Sequence, residues 1–265
     1  MAAWRITMAS MKFGLCLSGN KALMGIECGA DYTEISGMKL YEMNGEEFAH
    51  YKQYVDSGKI ITYSCNGLVA AEVRLTGEVD MVKVRDYCER LFYLLAELGV
   101  TMLVFGSGAA KQVPDGFPME KAWEQLFEVG ALFSDTALKY GQTIAVEALR
   151  HSEVNIVNTI DEAAYYADTV NRDNFKILAD FYHMEQNGEP LEVLEKYRDK
   201  LVHVHIANPD REMTGEADHE YVKARINILK KIGYTGGVSF EGKLSEDFSG
   251  VREMLDFYRK CACND

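Results

Sequence analysis

Proline is nearly missing from this chain, with 4 residues in 265 against 22 glycines. No proline-, serine- or glycine-rich tract breaks the sequence, so nothing reads as a linker between domains. A run of about 18 apolar residues is also lacking, which excludes a membrane-spanning helix. The opening MAAWRITMAS carries a charge inside its apolar run and has no clear cleavage site, so no secretory leader is expected. Positive charge is the next deficit. Lys and Arg number 28 against 41 Asp and Glu, a net charge of −13. No cluster of Lys and Arg forms the basic stripe that displaces counterions from DNA or RNA, so nucleic acid is not an expected partner. The acidity fits a soluble protein that handles a neutral substrate or a cation. Cysteines in a pairing pattern are lacking too. The six at 16, 28, 65, 88, 261 and 263 follow neither a disulfide framework nor a zinc-ribbon spacing. Cys261 and Cys263 stand close together without partner ligands, and reduced thiols point to the cytoplasm.

What is present is an alternation. Apolar residues make up 48%, enough for a sizeable core, and a barrel of eight strand–helix units takes about 250 residues. Short β-rich runs near 13–17, 32–36, 60–64, 101–105, 143–148, 175–180, 201–206 and 237–241 number eight. Helical patterns follow near 21–29, 46–57, 80–98, 118–140, 160–172, 190–199, 217–232 and 246–260. Gly58, Gly99, Gly141 and Gly233 sit where helices stop in a left-handed residue. Pro118 and Pro190 suit first helical turns, and Thr159 with Glu162 has capping-box spacing. Val84, Tyr87, Cys88, Leu91 and Leu95 share one helical face. Strict alternation implies parallel strands with crossover helices. The first strand is followed by LSGNKALMG, which lacks the dinucleotide fingerprint of an open doubly wound sheet. The reading is an α/β chain forming one (β/α)8 TIM barrel over residues 12–265, with 1–11 as an N-terminal extension.

Functional groups of such a barrel gather at the C-terminal ends of its strands. Strand two ends with Glu34, strand five with Glu147, strand six with Asp180, strand seven with His205 and strand eight with Glu241. Side chains alternate across a strand. Ile144 and Val146, then Val202, Val204 and Ile206, then Val238 and Phe240 form apolar sets that face the helices. That leaves Glu147, Asp180, His205 and Glu241 pointing into the lumen from four consecutive strands. Three carboxylates crowded together resist ionising, and a divalent cation removes that cost. One imidazole and three carboxylates favour Mn²⁺, with Mg²⁺, Co²⁺ or Zn²⁺ as alternatives. Taken singly, a strand-end glutamate is a solvated residue and a lone histidine a satisfied core residue. Glu34 and His203 are read that way.

At these residues the chain resembles the xylose-isomerase-like barrel superfamily of sugar isomerases and epimerases, most of all the ketose 3-epimerases of tagatose and psicose. The similarity covers strands five to eight in sequence and the first half in architecture. Glu147 is followed six residues later by Glu153, Asp180 by His183 in an Asp-x-x-His pattern, and His205 six residues later by Arg211. The resemblance implies that Glu147, Asp180, His205 and Glu241 bind the metal. It implies that Glu147 and Glu241 are also the acid/base pair, and that Glu153, His183 and Arg211 hold substrate oxygens. It implies a sugar substrate and a homo-oligomer, dimer or tetramer. The chain departs from the family's Asn-Arg-aromatic run, having Arg150, His151 and Ser152, and its seventh strand exits through HIANPDRE.

The chemistry that follows is an epimerase or isomerase. Metal coordination of a carbonyl and a neighbouring hydroxyl makes the adjacent carbon acid enough to lose a proton, and carboxylates on opposite faces take and return it. Loops 65–79 and 106–117, with Asn66, Arg74, Lys111 and Phe117, are expected to cover the mouth. The same site would also serve a dehydratase or lyase acting on a keto-sugar or 3-keto-glycoside. An abasic-site endonuclease needs a histidine-rich three-metal cluster, which six histidines barely supply. A non-catalytic sugar-binding protein would not need the acid/base pair.

Overall fold

Apolar side chains at alternate positions decide how each strand is set. Ile144 and Val146, Val204 and Ile206, and Val238 and Phe240 are buried in one core with the surrounding helices. Their strand neighbours turn inward. The computed structural model describes residues 10–263, and in it eight parallel strands close in chain order into one barrel. They are β1 (Lys12–Cys16), β2 (Tyr32–Ser36), β3 (Thr62–Asn66), β4 (Met102–Phe105), β5 (Thr143–Glu147), β6 (Phe175–Asp180), β7 (Leu201–Ile206) and β8 (Gly237–Phe240). Residues 1–9 of the expected N-terminal extension lie outside the described residues.

The helices are α1 (Asn20–Glu27), α2 (Gly37–Glu42), α3 (Gly45–Asp56), α4 (Met81–Glu97), α5 (Gly108–Lys111), α6 (Met119–Leu138), α7 (Ile160–Val170), α8 (Phe181–Asn187), α9 (Val193–Lys196), α10 (His219–Lys231) and α11 (Val251–Ala262). Among the described residues, no helix is long and apolar enough to cross a membrane. The predicted face of α4, from Val84 to Leu95, is buried. Gly58, Gly99, Gly141 and Gly233 all take φ between 66° and 74°, the left-handed stop expected of them.

Four boundaries differ from the sequence reading, each for a local reason. Strand three starts at Thr62, not near 60, because Lys59 and Ile60 donate their N–H groups to the Tyr54 carbonyl and close α3. Phe181–Asn187 is a helix that pattern reading missed, as it missed the short α2 and α5. It begins directly on the strand, because the Asp180 carboxylate caps the N–H groups of Tyr182 and His183. The helix expected over 190–199 shrinks to the single turn of α9, after Gly188 has ended α8 in a left-handed residue. The last helix starts at Val251 because Ser245, Asp247 and Ser249 hydrogen-bond within their own turn. At α7 the Thr159 hydroxyl accepts from Glu162 N–H, but the Glu162 carboxylate reaches back to Asn158 N–H, one residue earlier than a capping box. Pro118 is likewise the residue before α6, not its first turn.

The barrel interior is layered. Met102, Val104, Ala145 and Leu178 form a small apolar cluster separate from the outer core. Val202, expected to face outward, packs against this cluster instead. The β6–β7 register slips there, pairing Ile177 with Leu201 but Leu178 with His203, so Val202 is the extra residue of a bulge. On the other side, Tyr32 crosses the lumen to Ser239, hydroxyl to hydroxyl at 2.9 Å. Gly14 lies between them, and any Cβ there would enter the Tyr32 ring.

The helix jacket has its own close approach. A Cβ on Gly130, inside α6, would stand 2.7 Å from Val170 Cγ2 and 3.0 Å from the Tyr166 ring of α7. Glycine in a helix interior costs about 1 kcal/mol relative to alanine, whereas overpacking costs about 1–3 kcal/mol. Gly130→Ala is therefore expected to lower the urea midpoint. A raised midpoint would mean that α6 and α7 part freely.

Candidate metal centre

Glu147 and Asp180 are the last residues of β5 and β6, His205 is the fifth residue of β7, and Glu241 follows β8 directly. Strand parity turns all four to the mouth of the lumen, and the structure brings them together as expected. One ligating atom from each lies within 4.8 Å of the other three. His205 Nδ1 is 3.2 Å from Glu147 Oε1, 3.4 Å from Glu241 Oε2 and 3.9 Å from Asp180 Oδ2. The two oxygens of Asp180 divide their work. Oδ1 caps α8, while Oδ2 is buried with no hydrogen-bond partner. A buried acceptor left open, facing an imidazole nitrogen and two more carboxylates, is what a cation site requires. The donor set of one nitrogen and three carboxylates suits a hard divalent ion.

The electrostatics confirm the crowding. Burial raises the Asp180 carboxyl, His183 opposes and Glu147 adds to the rise, leaving it at about 6. Burial would also raise Glu241, but His205 and Arg211 beside it outweigh burial and hold it near about 2. For His205, burial is overcome by Glu34 and Glu241, which carry it well above the ordinary histidine value.

Glu34 is not the solvated residue expected from its place in the sequence. It stands in mid-strand and is fully buried. Its Oε1 accepts from His205 Nε2 at 2.9 Å. Its Oε2 takes Ser64 at 2.6 Å, Ser239 at 2.8 Å and His203 Nε2 at 2.8 Å. Burial pushes the Glu34 carboxyl up, but the two histidines more than compensate and keep it ionised. An ionised acceptor at Nε2 keeps one imidazole hydrogen there, so that Nδ1 is the nitrogen that would give up its proton and take the cation. His203 is buried in the core as expected, but only half satisfied: Nε2 pairs with Glu34 Oε2, while Nδ1 has no hydrogen-bond partner. The signal for Glu34 was in the sequence: Tyr32 and Glu34 share a strand face, as do His203 and His205.

Around the rim, His183 and Arg211 gather on the Tyr182 ring, and Glu153 joins them through the arginines. His183 is buried, with Nε2 3.6 Å from Asp180 Oδ2 and Nδ1 accepting the Arg150 N–H. Arg211 reaches Glu241 Oε2 at 2.5 Å and lies 3.8 Å from Glu153 Oε1. Glu153 also accepts from Arg150 Nε at 2.7 Å. Both guanidiniums lie against Tyr182, 4.9 Å and 5.2 Å from its centroid. Tyr182 and the role of Arg150 were not foreseen.

The two mouth loops behave less uniformly than expected. Cys65 and Asn66 belong to β3, and Asn66 Nδ2 donates to Glu241 Oε1 at 2.9 Å. Arg74 and Thr76 donate to carbonyls of the other loop and tie the two together. Phe117 packs against the core. Lys111 is fully buried, its Nζ 3.4 Å from the Glu147 carbonyl oxygen. Burial lowers it to about 8, with Glu147 opposing. Gly106 completes the frame, since a Cβ there would run into the Glu147 carboxylate.

Outer carboxylates that orient a ligating histidine are worth about 10–100-fold in metal affinity. Glu34→Gln is therefore expected to weaken Mn²⁺ binding by that factor, measured by titration calorimetry on folded protein. Unchanged affinity would reduce Glu34 to a packing role.

Known proteins share this arrangement of chain. An L-ribulose 3-epimerase of Methylomonas sp. (strain DH-1) is 36% identical over 233 residues, covering 85% of this chain and 79% of its own. A 3-dehydro-D-guloside 4-epimerase of Escherichia coli (strain K12) is 27% identical over 250 residues, 89% of this chain and 91% of its own. The apo crystal structure of an E. coli 3-keto-D-glucoside 4-epimerase superposes with a TM-score of 0.79 at 21% identity, over 95% of this chain and 100% of that one. Residues 26–261 match a family described as the xylose isomerase-like TIM barrel. With nearly the whole barrel matched in sequence and in shape, the chain belongs to the xylose isomerase-like TIM barrel family.

Proposed function

We propose that the protein is a divalent-metal-dependent sugar epimerase or isomerase that moves a proton at a carbon next to a carbonyl, on a ketose or keto-sugar. The observation that carries this reading is the meeting of Glu147 and the half-buried Glu241 in one cluster, from strands separated by those of Asp180 and His205. The relatives above are named as epimerases, of L-ribulose at carbon 3 and of a 3-dehydro-D-guloside at carbon 4, which supports this reading. Glu147, Asp180, His205 and Glu241 would hold the ion, with Mn²⁺ favoured by the oxygen-rich set. When bound, the ion supplies Lewis acidity that makes the hydrogen on the carbon beside a carbonyl removable.

The protein's own residues supply the rest. One of Glu147 and Glu241 removes the proton and the other returns one to the opposite face. Arg211 and His183 donate to substrate oxygens, and Glu153 accepts from a hydroxyl while Arg150 fixes its position. Tyr182 gives the sugar an apolar wall. The cysteines described in the structure are all unpaired, which suits the reducing cytoplasm. A three-cation nuclease site has too few donors among the described residues. Both candidate ligand groups there share His205, while His50 packs on Tyr54 and His219 on Phe257.

Solvent deuterium is expected to enter one carbon of a ketose or of a 3-keto-glycoside when the protein is incubated with Mn²⁺ and a panel of both. Glu241→Gln is expected to lower that exchange at least about 100-fold. A product that has lost its aglycone would instead assign a lyase, and a fully active Glu241→Gln would remove the acid/base assignment.

Acidity should act through Asp180. Its carboxyl is raised to about 6, so below that pH it carries a proton that ion binding must expel. His205, itself held well above the ordinary histidine value, must also lose a proton to bind the ion, so apparent Mn²⁺ affinity is expected to fall with falling pH wherever His205 is protonated, and to fall more steeply below about 6, by up to about tenfold more per pH unit, as Asp180 protonates. Calorimetry across pH 5 to 8 in buffers of different ionisation heat (a range of about three units, set by the linkage) checks it. A slope that does not steepen below about pH 6 would exclude Asp180 as a ligand.

A further inference from the structure

Lys111 is the one buried cation of the site region that neither the fold nor the acid/base chemistry accounts for. It ends α5, is 0% exposed and makes no ion pair among the described residues. Its Nζ has only a 3.4 Å contact to the Glu147 carbonyl and a place 5.3 Å from the Phe105 ring. Those contacts do not offset the cost of taking an ammonium out of water. A second charge within the centre does. Glu34 on one side of the His205 ring and Glu147, Asp180 and the half-buried Glu241 on the other bring four negative charges close together. A divalent ion and Arg211 return three positive ones. Arg150 and Glu153 offset each other at the rim, and a ligating His205 is neutral.

We propose that Lys111 is the counter-charge that brings the ion-loaded centre to neutrality, a positioning residue that acts through Glu147 without touching substrate. The inference rests on the metal-centre reading above and deepens it. It also separates an electrostatic role from a structural one, because the two predict opposite signs. Removing a merely structural lysine loosens the end of β5 and weakens ion binding. Removing a counter-charge makes the pocket more negative, so the ion binds more tightly. The price is catalysis: a more negative pocket opposes the charge that develops on substrate oxygen, so turnover falls.

The test is calorimetric titration of Mn²⁺ into metal-stripped wild type, Lys111→Met and Lys111→Arg, with circular dichroism melts to establish folding. Lys111→Met is expected to bind Mn²⁺ about tenfold more tightly, the order expected when a unit charge near a dication is removed from a buried site. Lys111→Arg, which keeps the charge, is expected to stay within about threefold of wild type. Solvent-deuterium exchange into the ketose panel should fall in the Met variant while its Mn²⁺ affinity rises. Unchanged or weaker affinity in a folded Met variant overturns the counter-charge. Equal tightening in the Arg variant overturns it as well. Wild type that binds no Mn²⁺, Mg²⁺, Co²⁺ or Zn²⁺ overturns the metal centre itself, a result distinct from either. If the Met variant does not fold, Lys111→Gln reads the same quantity.

Discussion

Four carboxylates, three buried and Glu241 half-buried, crowd around His205 at the mouth of this barrel, and holding them there is the constraint on which the rest of the structure depends. Left alone they would repel one another and take up protons. Three are therefore held by donors fixed elsewhere, and the fourth by the shape of its site. Glu34 is gripped by both histidines of β7 and by two serine hydroxyls. Glu241 has Asn66 on one oxygen and Arg211 on the other. Asp180 spends one oxygen on the first turn of α8 and keeps the other free. Glu147 fits the hollow that Gly106 leaves open.

The closed ring makes this bracing available. The four candidate ligands come from β5 to β8, while their supports come from β2, β3 and the loop after β4. Only a barrel in which β8 pairs back onto β1 sets β2 across the lumen from β7. The layer beneath the site is split to match. Two residues before Glu147 and Asp180 stand Ala145 and Leu178, which are apolar. Two before His205 and Glu241 stand His203 and Ser239, which join the Glu34 network. The carboxylates thus rest on a dry floor on one side and on a polar scaffold on the other. A floor of that kind keeps the effective dielectric low, so each charge placed there counts for more than it would in water.

Much of this was legible in the chain. Alternation of strand and helix marks eight units, and two-residue periodicity on β5, β7 and β8 turns Glu147, His205 and Glu241 inward. Local chemistry also marked the left-handed glycines that end helices. Other features lacked a local signal. Asp180 carries two roles at once, so α8 began with no gap for the eye to find. The bulge at Val202 reversed one side chain because pairing with a neighbouring strand, not the sequence of β7 alone, sets its register.

What the sequence determined by itself was the period: which residues alternate, where helices stop, and that four ligating groups stand at matching heights on consecutive strands. These depend on neighbours a few positions away, which the chain specifies directly. What only the tertiary structure decided was partnership across the lumen. Glu34 meets His205 from 171 positions away, and Asn66 meets Glu241 from 175. Burial of Lys111 was decided there too. Closure of the ring brings such residues to hydrogen-bonding distance, and whether a carboxylate is solvated or enclosed depends on that closure, not on the residues beside it.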